Sequence, residues 1–99
     1  MLPRDIEFEW SGTKAAGNLK KHGVSFDEAE TVFDDTHAYI QEDEPHSDDE
    51  PREIIIGYSE HNRLLMVSFV QRAVNRIRLI SARPVTVKER KIYEETLRF

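Results

Sequence analysis

Apolar and acidic residues alternate over residues 6–10, the period-two pattern of a half-buried strand. Two short helices are predicted next. The first begins after Ser11 and ends at Gly23, which we expect to cap it in the left-handed conformation. The second begins at once, because Ser25 and Glu28 have the S-x-x-E spacing of a capping box. The N-terminal part of the chain is therefore predicted to form a strand followed by a helical hairpin.

The middle of the chain predicts a meander of strands. Residues 53–58 and 64–70 are almost continuously apolar, which is typical of central strands covered on both faces. Residues 76–83 alternate basic and apolar positions at first, and a short strand is predicted over 36–41. The acidic, proline-containing segment 42–51 is predicted to be a loop.

A final helix is predicted from the capping box of Thr86 and Glu89 to about Leu97. Helices grouped against an antiparallel sheet define the α+β class, here with about four strands in the sheet. A chain of 99 residues has the length of one domain, so residues 1–99 are expected to fold as a single unit.

Composition excludes several classes of protein. Cysteine is absent, which excludes disulfide scaffolds, thiolate zinc sites and cysteine nucleophiles. No apolar run approaches the roughly 20 residues of a membrane span, and the first residues lack a signal-peptide core, so a cytoplasmic location is expected. Motifs of P-loop, dinucleotide-binding, esterase and zinc-protease enzymes are missing. Asp43, His46, Asp48 and Asp49 superficially resemble a hard-metal cluster, but such loops are usually solvated and we predict no metal.

Charge is distributed unevenly along the chain. The net charge is −5, but residues 1–60 contain 5 basic and 16 acidic side chains, whereas residues 61–99 contain 9 and 3. Such a division can place a basic face on an acidic body and attract an anionic partner. The alternative is that the basic residues pair with the abundant acids of the first half.

Arginines of the C-terminal third are the strongest chemical signal. Four of them fall within twelve positions on the predicted strands and turn, and three basic residues follow on the last helix: Arg72, Arg76, Arg78 and Arg83, then Lys88, Arg90 and Lys91. The planar guanidinium binds phosphate through two hydrogen bonds and keeps its charge when partly buried. An arginine-lined strand is therefore suited to a phosphodiester, and such contacts supply most of the sequence-independent affinity for nucleic acid.

Four residues outside the arginine cluster are further candidates. An imidazole can transfer protons, so His22 in the helical hairpin is a candidate acid or base. Its alternative role is to stabilise the C-terminal end of the first helix. Lys20 and Lys21 are candidates for phosphate contact by charge alone. Tyr93 is suited to stacking on a nucleobase, although a place in the core is the more common case for a helical tyrosine.

Four segments of the chain form a familiar combination. They are Phe8-Glu9-Trp10, the run Asn18–Ala29 with its Lys-His-Gly-Val-Ser-Phe, the run Arg76–Arg83 that ends in Ile-Ser-Ala-Arg, and Glu89-Arg90 with Tyr93. In this order, and over about residues 7–95, they resemble the BrnT family, the toxins of BrnT–BrnA type II toxin–antitoxin modules.

The resemblance implies a RelE/ParE-like fold and a ribonuclease that cuts RNA without a metal ion or other cofactor. It implies a BrnA-type ribbon-helix-helix antitoxin as partner, with operator DNA bound only through the toxin–antitoxin complex. The catalytic positions of the family correspond to Lys21, His22, Arg72, Arg78 and Arg83. Further RNA contacts are expected from Lys20, Arg76, Lys88, Arg90 and Tyr93.

The mechanism consistent with these residues is transesterification. A general base, with His22 the first choice and Lys21 the second, takes the proton of a ribose 2′-hydroxyl, and that oxygen attacks the adjacent phosphorus while arginines hold the added charge. Two alternatives stay open. One is a non-catalytic module that receives the antitoxin on its arginine face and whose complex binds DNA. The other is a ParE-like toxin that poisons gyrase through protein contacts.

Overall fold

The structure is a computed structural model that describes residues 5–44 and 50–96. Within these residues the chain forms five strands and three α-helices. In chain order they are β1 (Glu7–Glu9), α1 (Gly12–His22), α2 (Phe26–Thr31), β2 (Tyr39–Glu42), β3 (Glu53–Tyr58), β4 (Leu64–Ala73), β5 (Arg76–Pro84) and α3 (Val87–Thr96), with a 3-10 turn at Val32–Asp34. Among the described helices, none is long and apolar enough to cross a membrane.

The described strands form one sheet in the order β1-β5-β4-β3-β2. Strands β2 to β5 are antiparallel neighbours, whereas β1 lies parallel to β5 with Glu9 beside Arg78. The α+β class is confirmed, but the expected antiparallel sheet of about four strands is wrong, because the sheet is mixed and has five. Alternation of apolar and polar residues indicates which face of a strand is buried, and it contains no information on the direction of the neighbouring strand.

Different helices cover the two faces of the sheet. On one face the α1–α2 hairpin packs over the main core, whose central members are each at most 2% exposed: Phe26, Ile55, Leu65, Val67, Ile77 and Leu79. On the other face α3 places Tyr93 against Ile56 and Leu64. Since side chains alternate along a strand, the residues of β5 between its core positions point to this second face.

The helical hairpin has most of its predicted caps. Gly23 ends α1 with a φ of 69°, and Ser25 begins α2 by accepting the N–H of Glu28 at 3.0 Å. The other half of the predicted capping box does not form, because the Glu28 carboxylate binds Arg63 and Ser59 instead. At α3, by contrast, the box is complete, with the two reciprocal hydrogen bonds at 3.1 and 2.8 Å.

Two strand boundaries differ from the prediction by three residues. β2 begins at Tyr39 and not at residue 36, because the Asp35 side chain accepts the N–H of His37 at 2.9 Å and forms a turn there. β4 continues to Ala73 through an irregularity in its register, beyond the predicted end of this strand at residue 70, so that the turn before β5 is short.

α1 lies beside the part of the β5 edge that β1 leaves unpaired. β1 pairs with β5 only as far as Arg78. Beyond that point the Asn18 side chain accepts the N–H of Ala82 at 3.0 Å and donates to the carbonyls of Ala82 at 2.8 Å and Val24 at 2.9 Å. Asn18 is 8% exposed, so one buried amide closes both the sheet edge and the turn between the two helices.

Replacing Asn18 by alanine is expected to destabilise the fold by about 2–4 kcal/mol, because it leaves buried backbone groups of Ala82 and Val24 without partners. Urea unfolding followed by circular dichroism measures this difference. Lys20→Ala, at an exposed position of the same helix, serves as the control and is expected to change stability by less than about 0.5 kcal/mol. Equal midpoints for the two variants would contradict the role given to Asn18.

Candidate active site

Three of the predicted arginines line one face of β5. Arg76 and Arg78 are two positions apart and so project from the same face, opposite the main core. Arg83 is an odd number of positions from Arg78, but the register between β4 and β5 shifts near Ile80 and returns Arg83 to that face. Arg72 lies close by, at the irregular end of β4. Arg76, Arg78 and Arg83 therefore lie on one face of the same strand, whereas Arg72 lies in the irregular segment beside Arg76.

Each of these arginines has a carboxylate partner. Their shortest N···O distances are Arg72–Glu50 3.1 Å, Arg76–Glu9 3.7 Å, Arg78–Glu9 3.0 Å and Arg83–Glu89 2.7 Å, and Arg76 also lies 3.9 Å from Glu7. Three of the four acids come from the N-terminal half of the chain. The structure thus favours the alternative in which acids of the first half neutralise the arginines, and the uncompensated basic face is not formed.

Arg83 is held through its terminal nitrogens by several partners. Both of its terminal nitrogens donate to Glu89, at 2.8 and 2.7 Å, and they also contact the Pro84 carbonyl and the Met66 sulfur, each at 3.1 Å. These bonds lower the pKa of Glu89 to about 2, although burial of the carboxylate opposes the change. Arg83 therefore joins β5 to α3 and has no terminal N–H direction left for a ligand in this arrangement.

Arg78 and Arg76 are held more loosely. Arg78 donates to Glu9 through Nη1 alone, and its Nη2 and Nε bond to no described residue. Arg76 approaches Glu9 and Glu7 only at 3.7 and 3.9 Å, and its side chain is 54% exposed. Guanidinium groups with unused donors on an accessible face are suited to bind an anion. Among the arginines of β5, Arg76 and Arg78, which lie beside β1, are therefore the ones with N–H groups available to bind phosphate.

His22 and Lys21 lie near the opposite end of β5. Arg63, just before β4, donates to the carbonyl of Gly23 at 3.1 Å, and the neighbouring part of β4 pairs with β5 at Pro84. The C-terminal end of α1 is consequently fixed beside the end of β5. In consequence, the structure does not bring the five predicted catalytic residues together at one point.

Distance along β5 separates the predicted residues into two groups. Arg83 is five residues from Arg78, which corresponds to about 15 Å of strand. His22 and Lys21 belong to the Arg83 group, whereas Arg72 and Arg76 belong to the Arg78 group.

Tyr93 does not present its ring to solvent. It is 3% exposed, meets Tyr58 edge-on at a centroid distance of 5.8 Å, and donates its hydroxyl to Asp35 at 3.0 Å. Burial and the Asp35 carboxylate raise the pKa of Tyr93. The expected stacking of Tyr93 on a base is therefore wrong, because both ring faces lie in the core beneath α3.

The other expected RNA contacts are exposed but dispersed. Lys20 lies on α1, whereas Lys88 and Arg90 lie on α3, where Arg90 donates to the hydroxyl of Tyr58 at 3.3 Å. Within residues 5–44 and 50–96, no group of histidine and acidic side chains could hold a metal ion. Of the acidic loop considered above, His46, Asp48 and Asp49 lie outside the described residues.

Two carboxylates with clear structural partners were not singled out by sequence reasoning. Glu9 bridges Arg76 and Arg78, and Glu28, 5% exposed, binds Arg63 and Ser59. The hydrogen bonds from Arg63 lower the pKa of Glu28. The alternation of apolar and acidic residues in β1 indicated which face of the strand carries Glu9. Its arginine partners become evident only from the parallel pairing of β1 with β5. For Glu28 the capping-box spacing suggested a different use of the carboxylate.

Comparison with known proteins defines the class of the chain. A model of ribonuclease toxins of type II toxin–antitoxin systems matches residues 10–89, which include the helical hairpin and all of β5. The chain belongs to this family, BrnT. The crystal structure of the Brucella abortus ribonuclease toxin BrnT is similar, with a TM-score of 0.63 and 20% identity, over 82% of this chain and 97% of that one. At this identity the likeness shows the fold. No curated protein sequence matches the chain.

The bond between Arg83 and Glu89 predicts a loss of stability in acid. Because folding lowers the pKa of Glu89 from 4.5 to about 2, the stabilisation is complete above pH 4.5 and disappears as the pH falls toward 2. Glu89→Gln is expected to lower the melting temperature at neutral pH and to make its decline over this acid range shallower. Thermal unfolding at a series of pH values measures both effects. Glu94→Gln, an exposed change on the same helix, should retain the wild-type profile, and identical slopes for all three proteins would refute the assignment.

Proposed function

We propose that the chain is an endoribonuclease toxin that cleaves RNA without a metal ion. Membership of a ribonuclease toxin family supports this function. The observation on this chain that supports it best is the pair Arg76 and Arg78, whose unused N–H groups lie on a face of β5 that is accessible to solvent. Two guanidiniums two positions apart on a strand match the charge and the donor geometry that a phosphodiester requires.

In the proposed reaction a base takes the proton of a ribose 2′-hydroxyl and the 2′-oxygen bonds to the adjacent phosphorus. The bond from phosphorus to the 5′-oxygen breaks, and that oxygen takes a proton from solvent. Arg78, with Arg72 and Arg76 nearby, holds the charge that develops on the phosphoryl oxygens. The family resemblance suggests His22 as the base, with Lys21 the second choice, but both lie at the Arg83 end of β5, away from Arg78. The need for a 2′-hydroxyl restricts the reaction to RNA.

Flanking RNA is proposed to contact the exposed cations outside β5. Lys20 on α1 and Lys88 and Arg90 on α3 are accessible to solvent. Contacts of this kind position a strand without reading its bases, so they affect affinity and its salt dependence more than sequence preference.

The proposed partner is a ribbon-helix-helix antitoxin of the BrnA type. A type II system pairs its toxin with a protein antitoxin, which family membership implies for this chain. We propose that only the complex binds operator DNA, since the toxin itself has a net charge of −5 and pairs its arginines internally. Cleavage of cellular RNA would take place in the cytoplasm.

A non-catalytic antitoxin-binding function also has an observation in its favour. All four arginines of the predicted site are already paired with carboxylates. An RNA phosphate therefore meets a carboxylate already beside each guanidinium, which opposes its negative charge, whereas an antitoxin that extends the ion pairs meets no such opposition. Cleavage by the purified chain distinguishes the two functions.

Incubation of the purified chain with single-stranded RNA in excess EDTA is expected to give fragments that end in 2′,3′-cyclic phosphate. An RNA with 2′-deoxyribose at the cleaved position should stay intact, because it lacks the attacking oxygen. Gel electrophoresis and mass spectrometry of the fragments measure both results. Absence of cleavage together with tight antitoxin binding would favour the non-catalytic function, and gyrase-dependent DNA breaks would favour the ParE-like one.

Arg78→Ala is expected to lower the cleavage rate by about 10²–10³, the usual effect of removing one donor to a developing charge. Its effect on stability should be small, because exposed ion pairs contribute about 0–1 kcal/mol. Lys91→Ala removes a cation on α3 that has no proposed role and is the matched control. Rates are compared under single-turnover conditions. Equal rates for Arg78→Ala and the control would exclude Arg78 from the reaction.

A further inference from the structure

Glu9 combines two properties that the other carboxylates of this face do not share. One of its oxygens accepts from Nη1 of Arg78 at 3.0 Å, and the other lies 3.7 Å from Nε of Arg76. The side chain is nevertheless 37% exposed. Glu89, in comparison, is 22% exposed and has both oxygens occupied by Arg83. Glu9 is thus an accessible carboxylate in direct contact with two candidate phosphate-binding groups.

The backbone around Glu9 is fixed by aromatic packing. Phe8 meets the ring of Phe33 at 5.1 Å, and Trp10 meets Phe26 edge-on at 5.8 Å. Both rings lie on the core side, so the side chain of Glu9 between them is directed to the opposite face. A group whose neighbours are locked in the core keeps its position without a ligand, which is the condition for a preorganised catalytic side chain.

We propose that Glu9 is the general base of the ribonuclease reaction, acting beside Arg78. The inference rests on the proposed function and deepens it. The Glu9 carboxylate takes the 2′-hydroxyl proton and becomes a neutral acid as the bond from the 2′-oxygen to phosphorus forms. The bond from phosphorus to the 5′-oxygen breaks, its electron pair stays on that oxygen, and water supplies the proton. Nη2 and Nε of Arg78 bind the phosphoryl oxygens, and Glu9 afterwards returns its proton to water.

Geometry favours Glu9 over His22 for this step. A base must be within hydrogen-bond distance of the proton that it removes, and the charge-holding donors must reach the same phosphodiester. Glu9 and Arg78 are already in contact and both have unused hydrogen-bonding capacity. His22 lies at the Arg83 end of β5, about 15 Å of strand away, where the terminal nitrogens of Arg83 are occupied.

The charged groups that face Glu9 define the control variant. They are Arg76 and Arg78 on β5 and Glu7 on its own strand. Glu7 projects from the same face, is 70% exposed and, among the residues that the structure describes, pairs with Arg76 alone, at 3.9 Å. Glu7→Gln therefore makes the same chemical change two positions away and does not touch the pair of Glu9 and Arg78.

The experiment compares wild type, Glu9→Gln and Glu7→Gln in single-turnover RNA cleavage with excess EDTA, over a range of pH. Glu9→Gln should lower the rate by about 10²–10⁴, the usual contribution of a positioned base, and should lose the acidic limb of the pH–rate profile. Its affinity for an RNA with a 2′-O-methyl group at the cleaved position should be unchanged or higher, since a negative charge is removed. Glu7→Gln should cleave within about threefold of wild type.

Two results would overturn the assignment while leaving the proposed function intact. One is cleavage by Glu9→Gln within about threefold of wild type, and the other is a loss of RNA binding that accounts for the whole loss of rate. If wild type itself cuts no RNA, the proposed function and this inference both fail. Circular dichroism checks the folding of each variant. Should Glu9→Gln not fold, Glu9→Asp replaces it, and this variant must keep the acidic limb at a reduced rate.

Discussion

The short parallel pairing between β1 and the first half of β5 is the contact on which the rest of the architecture depends. It packs the half-buried Phe8 against the main core and places Glu9 beside Arg78 on the opposite face. Because β1 ends at Glu9, the remaining edge of β5 is available to α1, and Asn18 occupies it. The position of the helical hairpin and the charge pattern of the candidate site therefore follow from the same three-residue strand.

Ion pairing divides the arginines into those that stabilise the fold and those available for chemistry. Glu28 is 5% exposed, so its bond to Arg63 replaces water around a buried charge and fixes the β3–β4 turn against α2. Arg83 and Glu89 fix α3 to the sheet in the same way. The Glu9 carboxylate that pairs with Arg76 and Arg78 is more exposed than Glu28 and Glu89, and ion pairs open to water contribute little to stability. These two ion pairs are therefore better explained by a role in the candidate active site than by a contribution to folding stability.

Features of the fold that depend on neighbouring residues could be predicted from the sequence, whereas features that depend on contacts between distant residues could not. The cap at Gly23 and the capping box at Thr86 depend on residues within a single turn, so their spacing is sufficient to recognise them. The parallel direction of β1 depends on contacts between residues almost 70 positions apart, as the bond between Glu9 and Arg78 does. The same limit explains the candidate site: the arginines were visible as a cluster, but Glu7, Glu9 and Glu50, which pair with three of them, are distant in sequence and became visible as partners only in the fold.

Because the arginines of this face are paired with carboxylates, the face attracts a polyanion weakly from a distance. A surface with uncompensated arginines attracts RNA from a distance and binds it without selectivity. Here the carboxylates cancel most of that field, and the chain as a whole has a net charge of −5. A phosphate gains energy only when it comes close enough to bond to the unused N–H groups of Arg76 and Arg78, so binding depends on short-range fit. Glu9 stays bonded to Nη1 of Arg78, and its carboxylate then stands beside the bound phosphate with lone pairs available to a neighbouring hydroxyl.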